Sequence, residues 1–245
     1  MAQLNLYAME KSMLNTNTSS ITFSAAWLSI AATLAAFIFL ACLHILSPEF
    51  DPSWRMVSEY ALGNYSWVLS MMFITWAIGT WALFFAIRSQ IKTIGGKIGL
   101  GFLIAAGIGE AMASVFDVNH PLHGMAAMIG MPSLSIAAIL ISISLGRNQT
   151  WQSAKKTIMR TAHLTWIGIL IMTVSVMLLF SGFSKAGVDM SSGIAPAKLP
   201  DGVIAIAGWA NRLLIVVYCI WVITVAWKAI QLRNAKMKSQ TAVTK

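Results

Sequence analysis

Two ionisable residues lie well inside apolar segments of the chain, Glu110 and Arg212. Holding such a side chain in hydrocarbon costs about 2.5–3.5 kcal/mol on insertion scales, so each is expected to face a partner, a water-filled cavity or a ligand. Glu110 falls about two turns from the end of the third apolar segment. Arg212 falls ~14 Å into the sixth, counted from the same side at 1.5 Å per residue. Similar depths predict a Glu110–Arg212 pair. That pair would either fix helix packing or form a site, with Arg212 holding an anionic or polar headgroup and Glu110 orienting it or carrying a proton.

Polar residues gather around that level on one side only. Glu110, Ser114 and Asp117 are spaced i, i+4, i+7, which places them on one face if the helix continues. His120 and His123 follow, and His44 stands at the same end of the first apolar segment. For catalysis, Asp117 or His123 would serve as general base, Glu110 as a further acid–base group, and Arg212 would stabilise developing negative charge. Asp51, Ser58, Glu59 and Asn211, with Arg212, are the candidate substrate ligands. Asp117, His120 and His123, with His44 or Glu49 added, are also ligand types for zinc. Their spacing straddles Pro121 at a predicted turn and matches no regular ligand pair, so no metal is assigned. Haem of the two-centre membrane kind needs a second histidine pair, which His163 alone does not supply. The sequence names no cofactor.

The elements that must position these residues are six apolar stretches, approximately 22–46, 65–87, 98–116, 124–145, 162–183 and 203–229. About 20 apolar residues in a helix span the ~30 Å hydrocarbon layer. The chain is 58% hydrophobic and 10% charged, where soluble domains carry about a quarter charged residues. The reading is an all-α, six-helix transmembrane bundle over 22–230, with a polar leader 1–21 that looks loose and a basic tail 231–245.

The net charge of +9 is distributed as topology rather than as a nucleic-acid surface. Thirteen Lys and Arg fall in the leader, the second and fourth connections, the last residues of the sixth stretch (Lys228) and the tail, against three (Arg55, Lys185, Lys198) in the alternate connections. The positive-inside rule then puts both termini in the cytoplasm, with Asp51, His123 and Asp189 on the outer face of the cytoplasmic membrane. Membrane lipids are the expected partners, nucleic acid is not, and oligomeric state is left open. Cys42 and Cys219 both lie in apolar segments and carry no assigned disulfide. The first segment is too long for a cleaved signal core, and Phe39-Leu40-Ala41-Cys42 is too deep in the chain to be a lipoprotein cleavage box.

Three local patterns add detail. Pro48 and Pro52 break the first helix, and Trp54, Val57, Ala61 and Leu62 recur at near-helical spacing. That predicts a short amphipathic helix lying on the outer surface. Gly101, Ala105, Gly109 and Ala113 form a stripe of small residues, which suggests a close-packed third helix at the centre of the bundle. Trp54, Trp67, Trp209 and Trp227 fall near segment boundaries, as interface anchors do.

Certain of these residues, in this order, resemble a known family. Pro48-Glu49-Phe50-Asp51-Pro52, then Ser58-Glu59-Tyr60, His123-Gly124, and Gly208-Trp209-Ala210-Asn211-Arg212 are similar to the bacterial and archaeal membrane family termed domain of unknown function 998. The likeness covers most of 25–230. It implies a six-helix membrane protein with this loop, histidine and late arginine in corresponding places, and it implies no activity. His120 and the long connection 184–202 have no counterpart in it. The functional reading is an outward-facing polar cavity for a lipid or small amphiphile, with hydrolysis or transfer as its chemistry. The alternatives are a proton-coupled transporter and a non-catalytic scaffold or subunit.

Overall fold

No glycine or proline interrupts the chain before Pro48, and the first helix, α1, runs unbroken over Ala2–Leu46. The computed structural model describes the backbone of residues 2–188 and 196–243, and the side chains of 22–188, 196–235 and 237. The leader expected to be loose thus continues α1. Apolar periodicity reports which face of a helix is buried, and its absence does not stop the backbone from coiling. The other long helices are α2 (Ser66–Ile87), α3 (Ile94–Val115), α4 (His123–Gly146), α5 (Lys155–Lys185) and α6 (Ala207–Val243). No strand occurs among the described residues. Six spans within these helices are long and apolar enough to cross a membrane, and the protein is a multi-pass membrane protein.

Each helix packs against the next, and α6 closes the ring on α1 while also touching α2. Successive spans cross a bilayer in alternating directions, and the short connections after α2, α3 and α4 hold those neighbours antiparallel. The chain segments after α1, α3 and α5 therefore meet at one end of the bundle, here the loop end. The opposite end carries the segments after α2 and α4 with both termini, and it is the basic end. Within its spanning window α6 is 61% buried and α5 only 28%. The centre therefore belongs to α6, whereas α5 turns Leu170, Val174 and Met177 outward.

The small-residue stripe does not put α3 at the centre. α3 lies between α2 and α4, and Gly101 is exposed, with open space where a Cβ would stand. Residues spaced by four drift about 40° per step around a helix of 3.6 residues per turn, so the stripe leaves the contact face within two steps. The close approach to α4 is made by Gly96, Gly99 and Gly109. A Cβ at Gly109 would come within 2.5 Å of Gly130 Cα.

The segment after α1 is not a helix on the surface. It folds into a 3-10 turn, Val57–Leu62, whose Val57 and Tyr60 are fully buried against the bundle. Trp54, expected at the interface, is buried with Phe183 of α5, ring centroids 6.2 Å apart. Trp67, Trp209 and Trp227 remain exposed. What draws the loop inward is α6. The Gly208 N–H donates to Ser53 O at 3.1 Å, and a side chain at 208 would collide with the carbonyl oxygens of Pro52 and Arg55. Only glycine permits that approach.

Candidate functional site

The second turn of α6 carries Asn211 and Arg212, both buried, and both bind the loop. Arg212 donates from Nε to His44 Nε2 at 2.7 Å, and from Nη1 to Arg55 O at 2.8 Å and Gly208 O at 3.0 Å. Its Nη2 donates to the Tyr60 hydroxyl at 3.0 Å. His44 Nε2 accepts here, so its ring proton is on Nδ1, which donates to Leu40 O at 2.7 Å. The neutral tautomer is fixed from both sides. Asn211 Oδ1 accepts from the Val57 N–H at 2.9 Å, which ties down the start of the 3-10 turn.

The loop also binds itself. Arg55 pairs with Glu59 at 2.6 Å and donates to Pro196 O at 2.9 Å, while the other Glu59 oxygen accepts from the Met56 N–H at 2.8 Å. Among the described residues Arg55–Glu59 is the ion pair, and the expected Glu110–Arg212 pair does not form. Depth along a helix does not fix direction around it. Arg212 turns toward α1 and the loop, and Glu110 turns toward a separate space.

That space is a cavity of about 90 Å³ between α2, α3, α4 and α6, roofed by Val57 and Ser58. A water needs roughly 10–15 Å³ of such volume, so on the order of six waters or a short ligand segment would fit. Phe73, Ala127, Met131, Leu214 and Ile215 make most of the wall apolar, and Ser58, Glu110, His123, Asn211 and Tyr218 supply polar groups. Glu110 is only 6% exposed. Its Oε2 and the Nε1 of Trp76, which also lines the cavity, are buried without hydrogen-bond partners. The Thr80 hydroxyl approaches the carboxyl but is also without a bonded partner.

The remaining polar wall is oriented by local bonds. Pro132 inside α4 removes one backbone donor. Beside it the Tyr218 hydroxyl donates to Met131 O at 2.6 Å, so the Ser135 hydroxyl, 2.9 Å away, is the donor to Tyr218. His123 begins α4, and its Nδ1 lies 2.9 Å from Phe116 O. A carbonyl only accepts, so Nδ1 carries the proton and Nε2 is the nitrogen left for a ligand. The arrangement can accept a hydrogen bond or a cation at Glu110, donate from Trp76, and exchange a proton at Glu110 or His123.

The structure separates the residues singled out from the sequence. Glu110, His123, Ser58 and Asn211 line the cavity; Arg212, Glu59, Asp51 and Asp117 do not. Asp117 lies beyond the end of α3, exposed, with Oδ1 accepting from the Asn119 N–H at 2.8 Å. It shares no helix face with Glu110, because the helix stops at Val115. Asp51 is exposed and accepts from the Ser53 N–H at 2.9 Å. Hydrogen bonds from Ser53 and the nearby Arg212 charge hold its carboxyl below the usual aspartate value of 3.8. His120 stacks on Phe116 at 4.4 Å. Among the described residues no three His, Cys, Asp or Glu side chains gather as a metal site, so the Asp117, His120 and His123 grouping is not assembled. Cys42 and Cys219 are free thiols. Asp189 lies outside the described residues. Trp76, Thr80 and Tyr218 were missed. The available signal was their position, mid-segment, where interface anchoring gives a polar aromatic no reason to be.

A family model described as "Protein of unknown function (DUF998)" matches residues 30–228. The chain belongs to this family. No curated protein and no solved structure matches it. The matched span takes in the loop, every residue named on the cavity wall, and Arg212 with its partners.

Proposed function

We propose that this member of the family binds a lipid or small amphiphile in the Glu110 cavity, which lies in the half of the bundle nearer the outer face of the cytoplasmic membrane. The observation that carries the reading is a pair of buried groups on an otherwise largely apolar wall, Trp76 Nε1 without a partner and Glu110 Oε2 with only the Thr80 hydroxyl near its carboxyl. A buried polar atom without a partner costs about 1–3 kcal/mol, which a matching ligand would recover. A hydroxyl or amine on an apolar body has the required form: it donates to the carboxyl while its carbon skeleton lies against Phe73, Leu214 and Ile215. A hydroxyl also accepts from Trp76.

If chemistry follows binding, Glu110 and His123 Nε2 are the acid–base groups within reach of the cavity. Asp117 is withdrawn from that role because it is exposed beyond the helix end. Arg212 is withdrawn from substrate contact because it does not line the cavity and four of its five N–H donors are taken by His44, Gly208 and the loop. The outward orientation is supported by the 13-to-3 asymmetry of basic residues, which puts both termini in the cytoplasm.

Native mass spectrometry of the detergent-extracted chain tests the binding. Wild-type protein is expected to carry a lipid-like mass, and Glu110→Leu with Trp76→Phe is expected to lose it while keeping helicity and thermal stability. Identical bound masses in wild type and double variant would overturn the assignment. Proteoliposomes that take up such an amphiphile in response to a proton gradient, with Glu110→Gln inactive, would move the same site from retention to transport.

A further inference from the structure

A second cavity, of about 340 Å³, opens at the basic end between α1, α6 and the connections after α2 and α4. It shares no residue with the Glu110 cavity, and no role assigned above uses it. Its volume is at the lower end of the 300–1,000 Å³ common to small-ligand pockets. Its most informative side chain is Arg233. Two guanidinium nitrogens, Nε and Nη1, are buried without hydrogen-bond partners, and the guanidinium carbon sits 4.5 Å over the Phe23 ring. A guanidinium with two buried, idle nitrogens contrasts with Arg212, four of whose five N–H donors are bonded.

The surroundings select the charge of what would fill it. Lys92, Ser89 and Thr150 add an ammonium and two hydroxyls to the wall, and among the described residues no carboxylate lines it. Seven of the eight acidic residues belong, by chain position, to the loop-end half or its connections, leaving Glu10 on the basic side. Glu10 precedes Thr22 along α1 by ~18 Å at 1.5 Å per residue. Gln90 is not competing for the arginine, because its side-chain oxygen accepts from Trp151 Nε1 at 2.5 Å.

The height in the bilayer is set by two tryptophans. Trp27 and Trp227 are both exposed and meet edge to face at 5.9 Å, as aromatic residues do at the headgroup level. Arg233 lies six residues beyond Trp227, ~9 Å toward the water. Phe23, Ala26, Ala229 and Ile230 make the other wall apolar, so one face suits a chain and the other suits a charged head.

We propose that this cavity is an anion site that takes a phosphate group through Arg233 and Lys92, the phosphodiester head of an anionic lipid or free phosphate being the two sources of that chemistry. The planar donor fork of arginine matches phosphate oxygens, and the ammonium of Lys92 supplies a second charge at the rim.

The test uses the full chain in detergent, with native mass spectrometry after addition of phosphatidylglycerol or phosphatidylcholine, and thermal unfolding in inorganic phosphate against chloride of equal ionic strength. Wild type is expected to retain phosphatidylglycerol over phosphatidylcholine. Arg233→Gln and Lys92→Gln should each retain about five-fold less, near one surface charge's worth of attraction. Arg160→Gln, at the same end but outside the cavity, should leave retention unchanged. Stabilisation by inorganic phosphate, lost in Arg233→Gln and without lipid preference in wild type, would keep the anion site and identify free phosphate as its source. Equal losses in Arg160→Gln and Arg233→Gln would overturn the proposal in favour of unspecific surface charge, as would no response to either probe. Lys92 is exposed, so its variant keeps the test open if Arg233→Gln fails to fold.

Discussion

Arg212 and Glu110 stand at similar depth from the loop end, in neighbouring parts of one bundle, and their surroundings differ completely. Arg212 makes four hydrogen bonds to groups on α1, α6 and the loop. Glu110, 6% exposed, has an oxygen with none and faces a cavity. Burial alone therefore does not separate architecture from function in a membrane bundle. Completion of bonding does. A buried charge whose hydrogen bonds come from the protein has the form of a fastener, and one left with an unfilled acceptor is the candidate for a ligand.

The contrast breaks most visibly at Arg212. Arg212→Ala would leave His44 Nε2, two carbonyls and the Tyr60 hydroxyl without their donor, and is expected to cost about 3–5 kcal/mol, seen as a large fall in the melting temperature of the solubilised protein. Arg212→Lys should recover only part, since an ammonium cannot reproduce the planar fork. A melting curve for Arg212→Ala that overlays wild type would remove the fastener from the argument.

Asn211 sits between the two regions, bonding Val57 and lining the cavity. Asn211→Leu strands the Val57 N–H in a buried setting and is expected to cost about 1–3 kcal/mol. Loop mobility should rise with it, measurable as faster amide exchange over 53–62. Unchanged exchange there would show that Asn211 belongs with Glu110 rather than with Arg212.

Glu110 should behave in the opposite sense. Glu110→Leu removes a buried polar group that has no complete set of partners, so stability should hold or rise by about 1 kcal/mol while the proposed binding of an amphiphile is lost. A destabilisation as large as that of Arg212→Ala would mean that Glu110 is a fastener too.

The smallest effect is at Asp51, on the exposed rim. Its folded carboxyl is held below 3.8 by Ser53 and Arg212. The stabilisation it contributes is therefore present in full above the unfolded value and disappears as pH falls through the lower folded value. Asp51→Asn should lower the melting temperature slightly at neutral pH, and the difference from wild type should vanish under strong acid. A gap that persists there would assign the effect to shape rather than charge.

Apolar runs of about 20 residues or more left no alternative to six spanning helices, and alternating basic connections gave the expected orientation. Those properties are additive along a chain: length against bilayer thickness, and charge per connection. His123, Ser58, Asn211 and Glu110 were recognisable by type as candidates for one site, and they line one cavity. Asp117 was misread because the i, i+4, i+7 rule assumes a helix that in fact ends at Val115. The loop was misread because its periodicity could not register the bonds from Gly208, Asn211 and Arg212 that pull it inward.

The sequence by itself determined the class of the protein, its six spans, its family and the level at which its polar residues collect. Only the tertiary structure decided which of them act together. Two residues at one depth can face each other or face apart, and the choice rests on rotation about each helix and on which backbone carbonyls come within about 3 Å of a donor. Those are contacts between segments far apart in the chain, such as Arg212 with His44 and Tyr60, and no spacing rule within one segment contains them.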